Sequence, residues 1–132
     1  MRIMYDTNVL LSSILFPNQR FSQMLEYISQ NHRLVLSSFV IEELFAVTKR
    51  KFPEKQKVID RFLTDLSYEY VYTPHQMKSG LFEIRDPNDY PVLYIAVIEN
   101  IDILITVDKD FTSLIIEKPQ ILTPSDFISK YM

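Results

Sequence analysis

Carboxylates are the groups in this sequence best placed to do chemistry. Asp6 follows the short apolar segment Ile3-Met4-Tyr5, Asp108 follows Ile103-Leu104-Ile105-Thr106-Val107, Glu43 sits among Val40, Leu44 and Val47, and Asp89 precedes Val92, Leu93 and Ala96. Carboxylates crowded together repel one another, which raises their pKa values unless a cation compensates. Arg85 and Lys109 are near in sequence, but such long side chains usually extend into solvent. A hard divalent cation is the natural counter-charge, and ligands that are all oxygen favour Mg²⁺ or Mn²⁺ over zinc. Two such ions about 3.5–4 Å apart can activate a water and steady the leaving oxygen of a phosphodiester. The absence of cysteine excludes disulfides, thiolate zinc sites and cysteine nucleophiles. Gly80 is the only glycine, so Gly-rich phosphate loops are excluded too. His32 and His75 are isolated and read as ordinary surface residues.

The elements that must position these acids follow from the hydrophobic pattern. Short apolar runs alternate with longer helical stretches, the rhythm of βαβ units, and this predicts a parallel sheet in an α/β/α sandwich with helices on both faces. Strands are expected at Arg2 to Tyr5, Leu34 to Leu36, Glu69 to Tyr72, Ile103 to Thr106 and around Ile121. Helices are expected from Thr7 or Asn8 to before Pro17, from Arg20 to Asn31, and from Ser37 or Ser38 to Lys51. Four more should run from Pro53 to about Leu66, from about Asp89 to Asn100, and onward from Asp110 and Ser125, with Ser and Pro in capping and first-turn positions. Ligands of open parallel sheets bind outside the carboxyl ends of the strands. Asp6 and Asp108 stand there. At about 100° per residue Glu43 flanks the Val40, Leu44 and Val47 stripe while Glu42 points away, and Asp89 shares a face with Val92, Leu93 and Ala96. All four acids can therefore face one crevice. Each also has a simpler reading: Asp6, Asp86 and Asp108 or Asp110 as helix caps, Glu43 as a solvated helix acid.

At 132 residues and 47% apolar content, the chain suits one domain over residues 1–132. No apolar run reaches signal-peptide or membrane-spanning length, so a soluble, unprocessed, cytoplasmic protein is expected. The net charge of −3 argues against a surface that grips phosphate everywhere. Charge is unevenly distributed, however. Between Lys49 and Arg61 six cations (Lys49, Arg50, Lys51, Lys55, Lys57, Arg61) face only Glu54 and Asp60, a local +4 that leaves −7 for the remainder. Lys49, Arg50, Lys51, Lys55 and Lys57 are thus candidate contacts to a nucleic-acid backbone, with a merely solvated helix pair as the alternative. Tyr68, Tyr70 and Tyr72 alternate at strand spacing and read as core or dimer surface rather than a base-stacking platform. Phe16, Phe21, Met24, Leu25 and Ile28 read as packing or as an apolar surface offered to a partner.

Taken in order, Tyr5-Asp6-Thr7-Asn8-Val9-Leu10-Leu11, Ser37 through Glu43-Leu44, Asp86-Pro87-Asn88-Asp89-Tyr90-Pro91-Val92-Leu93 and Ile105-Thr106-Val107-Asp108-Lys109-Asp110-Phe111 resemble the PIN-domain family along nearly the whole chain. The resemblance implies a small α/β/α sandwich, metal-dependent cleavage of RNA, Mg²⁺ or Mn²⁺ as one or two ions, and the role of a VapC-like toxin with an antitoxin partner and a homodimeric state. It implies Asp6, Glu43, Asp89 and Asp108 as catalytic metal ligands, with Asp86 and Asp110 as auxiliary acids and Asn8 and Thr106 as polar groups that orient the ligands. The proline-flanked acidic segment and the Glu42-Glu43 pair depart from the commonest small-toxin pattern, which leaves Glu42 beside Glu43 as a possible second ligand.

Two rival functions share these residues. A magnesium phosphatase of the haloacid-dehalogenase type also starts from an Asp after the first strand, but expects a second Asp two residues on, where this chain has Asn8. A non-catalytic binding or regulatory protein would keep the fold without binding metal, against which stand the acids present at all four positions.

Overall fold

The computed structural model describes residues 1–132 as five parallel strands, β1 (Arg2–Tyr5), β2 (Arg33–Ser37), β3 (Glu69–Val71), β4 (Ile103–Ile105) and β5 (Gln120–Leu122), in the order β3-β2-β1-β4-β5. The helices between them are α1 (Thr7–Leu15), α2 (Gln19–Asn31), α3 (Ser38–Lys51), α4 (Gln56–Asp65), α5 (Tyr90–Ile98) and α6 (Lys109–Thr112), and α7 (Pro124–Tyr131) follows β5. β1 is central, pairing Ile3 with Leu34 on one side and with Ile103 on the other. Its Ile3, Met4 and Tyr5 are fully buried, as are Leu104 and Ile105 of β4 and Val35 and Leu36 of β2. Unbroken apolar runs of this kind are what a strand covered on both faces requires. The α/β sandwich expected from the sequence is the one observed.

From β1 the chain steps outward to β2 and β3, then returns across the sheet to β4 and continues to β5. With right-handed crossovers, the crossover helices of the two halves lie on opposite faces, while α7, after β5, packs on α2. Strand order therefore reverses between β1 and β4, and the connections leaving these neighbours part, opening a crevice at their carboxyl ends. Asp6 and Thr106 are the first residues beyond those strands.

Local chemistry sets the helix ends. Ser37 Oγ accepts from the Val40 amide (3.2 Å) and starts α3; Asn18 Oδ1 accepts from the Phe21 amide (2.9 Å) and starts α2. Asn100 takes a left-handed conformation (φ 57°), and the Ile101 amide donates to the Ala96 carbonyl (3.0 Å), stopping α5. The helix expected to open at Pro53 differs: Pro53 opens a short 3-10 turn, Pro53–Lys55, and α4 begins only after it, while Pro87 opens a second such turn, Pro87–Asp89, just before α5. Proline presets the first-turn φ without choosing between the two helix types. Met24, Leu25 and Ile28 are core residues, so α2 spends its apolar stripe internally. Phe16 is 59% exposed, with one edge against Phe52. Tyr70 and Tyr72, at the β3 edge, are exposed and not part of the core.

The amino end of the sheet is electrically closed. Arg2 reaches Glu69 (Nη2 to Oε2, 2.7 Å) and the carbonyl of Glu99, while its amide donates to Asp102 Oδ2 (2.8 Å). Lys118 Nζ lies 3.3 Å from the other oxygen of Asp102, and Arg33 lies 3.6 Å from Glu69. The Arg2 guanidinium holds the Glu69 carboxyl below its usual range, and the Arg2 amide does the same for Asp102. Half-exposed pairs of this kind contribute about 0–1 kcal/mol each, so their main effect is to leave this rim with its charges paired. No helix is long and apolar enough to cross a membrane.

Candidate active site

The carboxyl end of the sheet is the opposite case. Asp6 is buried at the tip of β1, where its amide still donates to the Ile105 carbonyl (3.0 Å). One carboxylate oxygen accepts from the Thr7 amide (2.7 Å) and the other from the Thr106 hydroxyl (2.9 Å). Thr106, itself fully buried, has its Oγ1 accept from the Asp108 amide (3.0 Å). Asp108 Oδ1 accepts in turn from the Asp110 amide (2.8 Å), capping α6. A single hydroxyl thus joins the acid after β1 to the acid after β4.

Asp89 enters from the other side, as the last residue of the 3-10 turn that Asp86 caps by accepting from the Asn88 amide (3.0 Å). One oxygen from each of Asp89, Asp108 and Asp110 lies within 4.8 Å of the others. Burial, followed by the charges of Asp108, Asp86 and Asp6, pushes the Asp89 carboxyl up to about 7. Burial also raises Asp6, opposed by its Thr106 and Thr7 donors and reinforced by the charges of Glu43 and Asp108. Arg85 is the one cation within ion-pair distance of these acids, 4.0 Å from Asp110, and it is 87% exposed. The acids are therefore under-compensated where they meet, in contrast to the paired acids at the other end of the sheet. The donors are all hard oxygens, and the Thr7 hydroxyl beside Asp6 is buried without a partner. This set fits a divalent cation of the Mg²⁺ or Mn²⁺ kind.

The sequence-predicted residues divide as follows. Asp89 and Asp108 are brought together directly, Asp6 is tied to them through Thr106, and Glu43 is close enough to raise the Asp6 pKa without joining the tight group. Glu43 is half-buried and Glu42 is exposed, as the helix-face argument requires. Asp110, expected to be auxiliary, stands in the tightest group, and Asp86 stays outside it but adds charge to Asp89. Asn8 is exposed on the first turn of α1. The cap reading of Asp6, Asp86 and Asp108 is also correct, and it is not a competitor: each uses one oxygen for the cap. Lys49, Arg50, Lys51, Lys55 and Lys57 are all exposed. From Glu43 to Lys51 α3 rises about 12 Å, at ~1.5 Å per residue, so the basic run does not line the acid crevice.

Thr106→Val tests the linking hydroxyl with little change of shape. It strips Asp6 of a donor and leaves the Asp108 amide unpaired, so Mn²⁺ affinity measured by calorimetry is expected to fall about 10–100-fold, as for outer partners of metal ligands. An unchanged affinity would remove Thr106 from the site.

Residues 2–110 match the family model described as PIN domain. No curated protein matches the sequence. Among solved structures the chain is similar to a chain in the crystal structure of VapBC2 from Rickettsia felis bound to a DNA fragment from their promoter, with 23% identity, a TM-score of 0.72, and coverage of 92% of this chain and 97% of that one. That likeness concerns the fold. The family match runs from β1 through Asp110 and so takes in every acid of the crevice; this chain belongs to the PIN-domain family.

Proposed function

We propose that the chain is a divalent-metal-dependent endoribonuclease and the toxin of a toxin–antitoxin pair, acting in the cytoplasm. The observation that carries the enzymatic part is the meeting of Asp89, Asp108 and Asp110, with Asp6 tethered by Thr106, where no buried cation balances them. Asp6, Asp89, Asp108 and Asp110 would hold the metal, with Glu43 beside Asp6. A divalent ion there supplies charge compensation and water activation for phosphodiester hydrolysis. The chain's own part is to fix the carboxylates: Thr106 and the Thr7 amide orient Asp6, the Asp110 amide orients Asp108, and Asp89 gives up its proton near neutrality when a cation arrives. Cleavage of single-stranded RNA that appears with Mn²⁺ and vanishes with a chelator supports this reading; a clean preparation that cuts no RNA with either Mg²⁺ or Mn²⁺ refutes it.

The antitoxin rests on the likeness to a VapBC2 chain. Expression of this chain alone should then arrest growth, and co-expression of a neighbouring gene's product should relieve the arrest.

The basic run supplies backbone contacts to flanking nucleotides. A Lys49→Glu, Lys51→Glu double variant is expected to weaken RNA binding and to lower its salt slope by about 0.7 per lost contact, with Mn²⁺ affinity unaltered. An unchanged slope would return these lysines to the role of a solvated surface.

A further inference from the structure

A groove lies where the end of β3 approaches the start of α5, beside the turn that carries Asp89. One cavity of about 740 Å³ is lined by His75, Met77, Phe82, Pro87, Tyr90 and Pro91, among others. A second, of about 150 Å³, shares His75, Met77 and Pro91 with it and adds Tyr72, Phe39 and Glu42. The walls are aromatic. Phe82 stacks on Tyr90 (centroids 4.6 Å apart, planes 21° apart), Tyr90 on Tyr94 (5.9 Å), and the Tyr90 hydroxyl donates to the Lys78 carbonyl, anchoring the loop. Tyr72 is 58% exposed and meets His75, also exposed, edge to face (6.1 Å). Pro87 and Tyr90 line the groove, and Asp89 lies between them in the chain, so groove and acids share one turn.

We propose that this groove takes an unpaired nucleobase of the RNA next to the phosphate held at the acids, with Tyr72 and His75 as its stacking faces. The inference rests on the ribonuclease reading above and names how its substrate is held. Three features select the occupant. The groove shares the turn from Pro87 to Tyr90 with Asp89. Its lining offers flat aromatic faces, which suit any base, rather than a row of cations for phosphate. Glu42, on the rim, is an acceptor for an exocyclic amino group and repels backbone phosphate. A single strand thus enters with its base toward β3 and its phosphate toward the acids, whereas a duplex keeps its bases stacked inside and cannot lend one.

The test is kinetic, on a short single-stranded RNA with Mn²⁺, using a Tyr72→Ala, His75→Ala double variant. KM is expected to rise about tenfold or more, the effect of losing base-stacking faces, with Mn²⁺ affinity unchanged. An abasic nucleotide beside the cleaved phosphate should raise the wild-type KM similarly and add nothing in the double variant. Tyr72→Phe should retain the wild-type KM, because it keeps the ring. An unchanged KM, or abasic and protein effects that multiply, overturns the inference while leaving the nuclease intact. A changed oligomeric state of the double variant with KM unchanged overturns it in favour of a surface between copies of the chain. If the wild type cuts no RNA, the nuclease reading fails, and fluorescence anisotropy with the same oligonucleotide then decides the groove alone: affinity lost in the double variant supports it, and equal affinity overturns it.

Discussion

Asp6→Asn and Asp108→Asn are each expected to abolish manganese-dependent RNA cleavage, by well over ~100-fold, since even the outer partners of metal ligands cost about 10–100-fold. The change is nearly isosteric: at position 108 an oxygen still accepts from the Asp110 amide, and at position 6, where both oxygens are in use, the amide oxygen can keep the Thr7 amide while its NH2 turns to the Thr106 hydroxyl, which can accept. What disappears is one negative charge at the point where the carboxylates meet. Fold and loss of charge are thus separable: circular dichroism should be unchanged while both cleavage and Mn²⁺ binding fail. Asp110→Asn belongs to the same experiment. Geometry places Asp110 in the tight group with Asp89 and Asp108, so its loss should resemble theirs and exceed that of Asp86→Asn. Wild-type cleavage by either main variant would end the proposal.

The second large effect links metal, pH and stability. In the metal-free fold the Asp89 carboxyl is pushed up to about 7, from 3.8 in the open chain. Between these values the folded state holds a proton that the unfolded state has released, so stability falls as pH rises from about 4 to about 7 and then levels off. Asp6 shifts in the same direction. A bound divalent ion offsets this cost, and at a hundred times its Kd it adds ~2.7 kcal/mol, about 10 °C in Tm for a domain of this size. Scanning calorimetry should therefore show a Tm that declines from pH 5 to pH 8 in chelator, and a rise on adding Mn²⁺ that is larger at pH 8, where no proton must be displaced. Asp89→Asn should flatten the pH dependence and blunt the rise. A Tm insensitive to both Mn²⁺ and pH would show that these carboxylates are not in electrostatic contact.

Much of this was legible before any coordinates, for reasons that differ by element. β1 has the bounds expected of it, because the apolar run Ile3-Met4-Tyr5, held between Arg2 and Asp6, allows little else. α3 begins at Ser38 and ends at Lys51, where Ser37 caps it and Pro53 follows. Glu43 was readable from helix periodicity, since α3 has a buried stripe through Val40 and Leu44. Asp89 was harder. α5 buries Val92 through Ala96 without a polar face, so periodicity there carries no direction, and Asp89 belongs to the 3-10 turn before it. The family resemblance gives Asp110 a lesser place, and periodicity cannot correct it, because two residues after a strand-end acid is no fixed angle in a chain that is turning. The cap formed by Asp108 folds the Asp110 backbone inward. The groove escaped notice because residues 72–86 lack repeating structure, and the alternation of Tyr68, Tyr70 and Tyr72 suggested core or dimer surface. β3 is an edge strand ending at Val71, and this leaves Tyr72 free to turn toward the loop.

The closed ion pairs around Arg2 bear on the molecule as a whole. With acid and base cancelled at one rim and acids left bare at the other, the strands run along an uneven field whose negative pole is the crevice. On the proposed function, that pole would draw divalent ions and turn aside a polyanion until they are bound, so the charging of the two rims of one sheet would set the order of arrival, cation before nucleic acid.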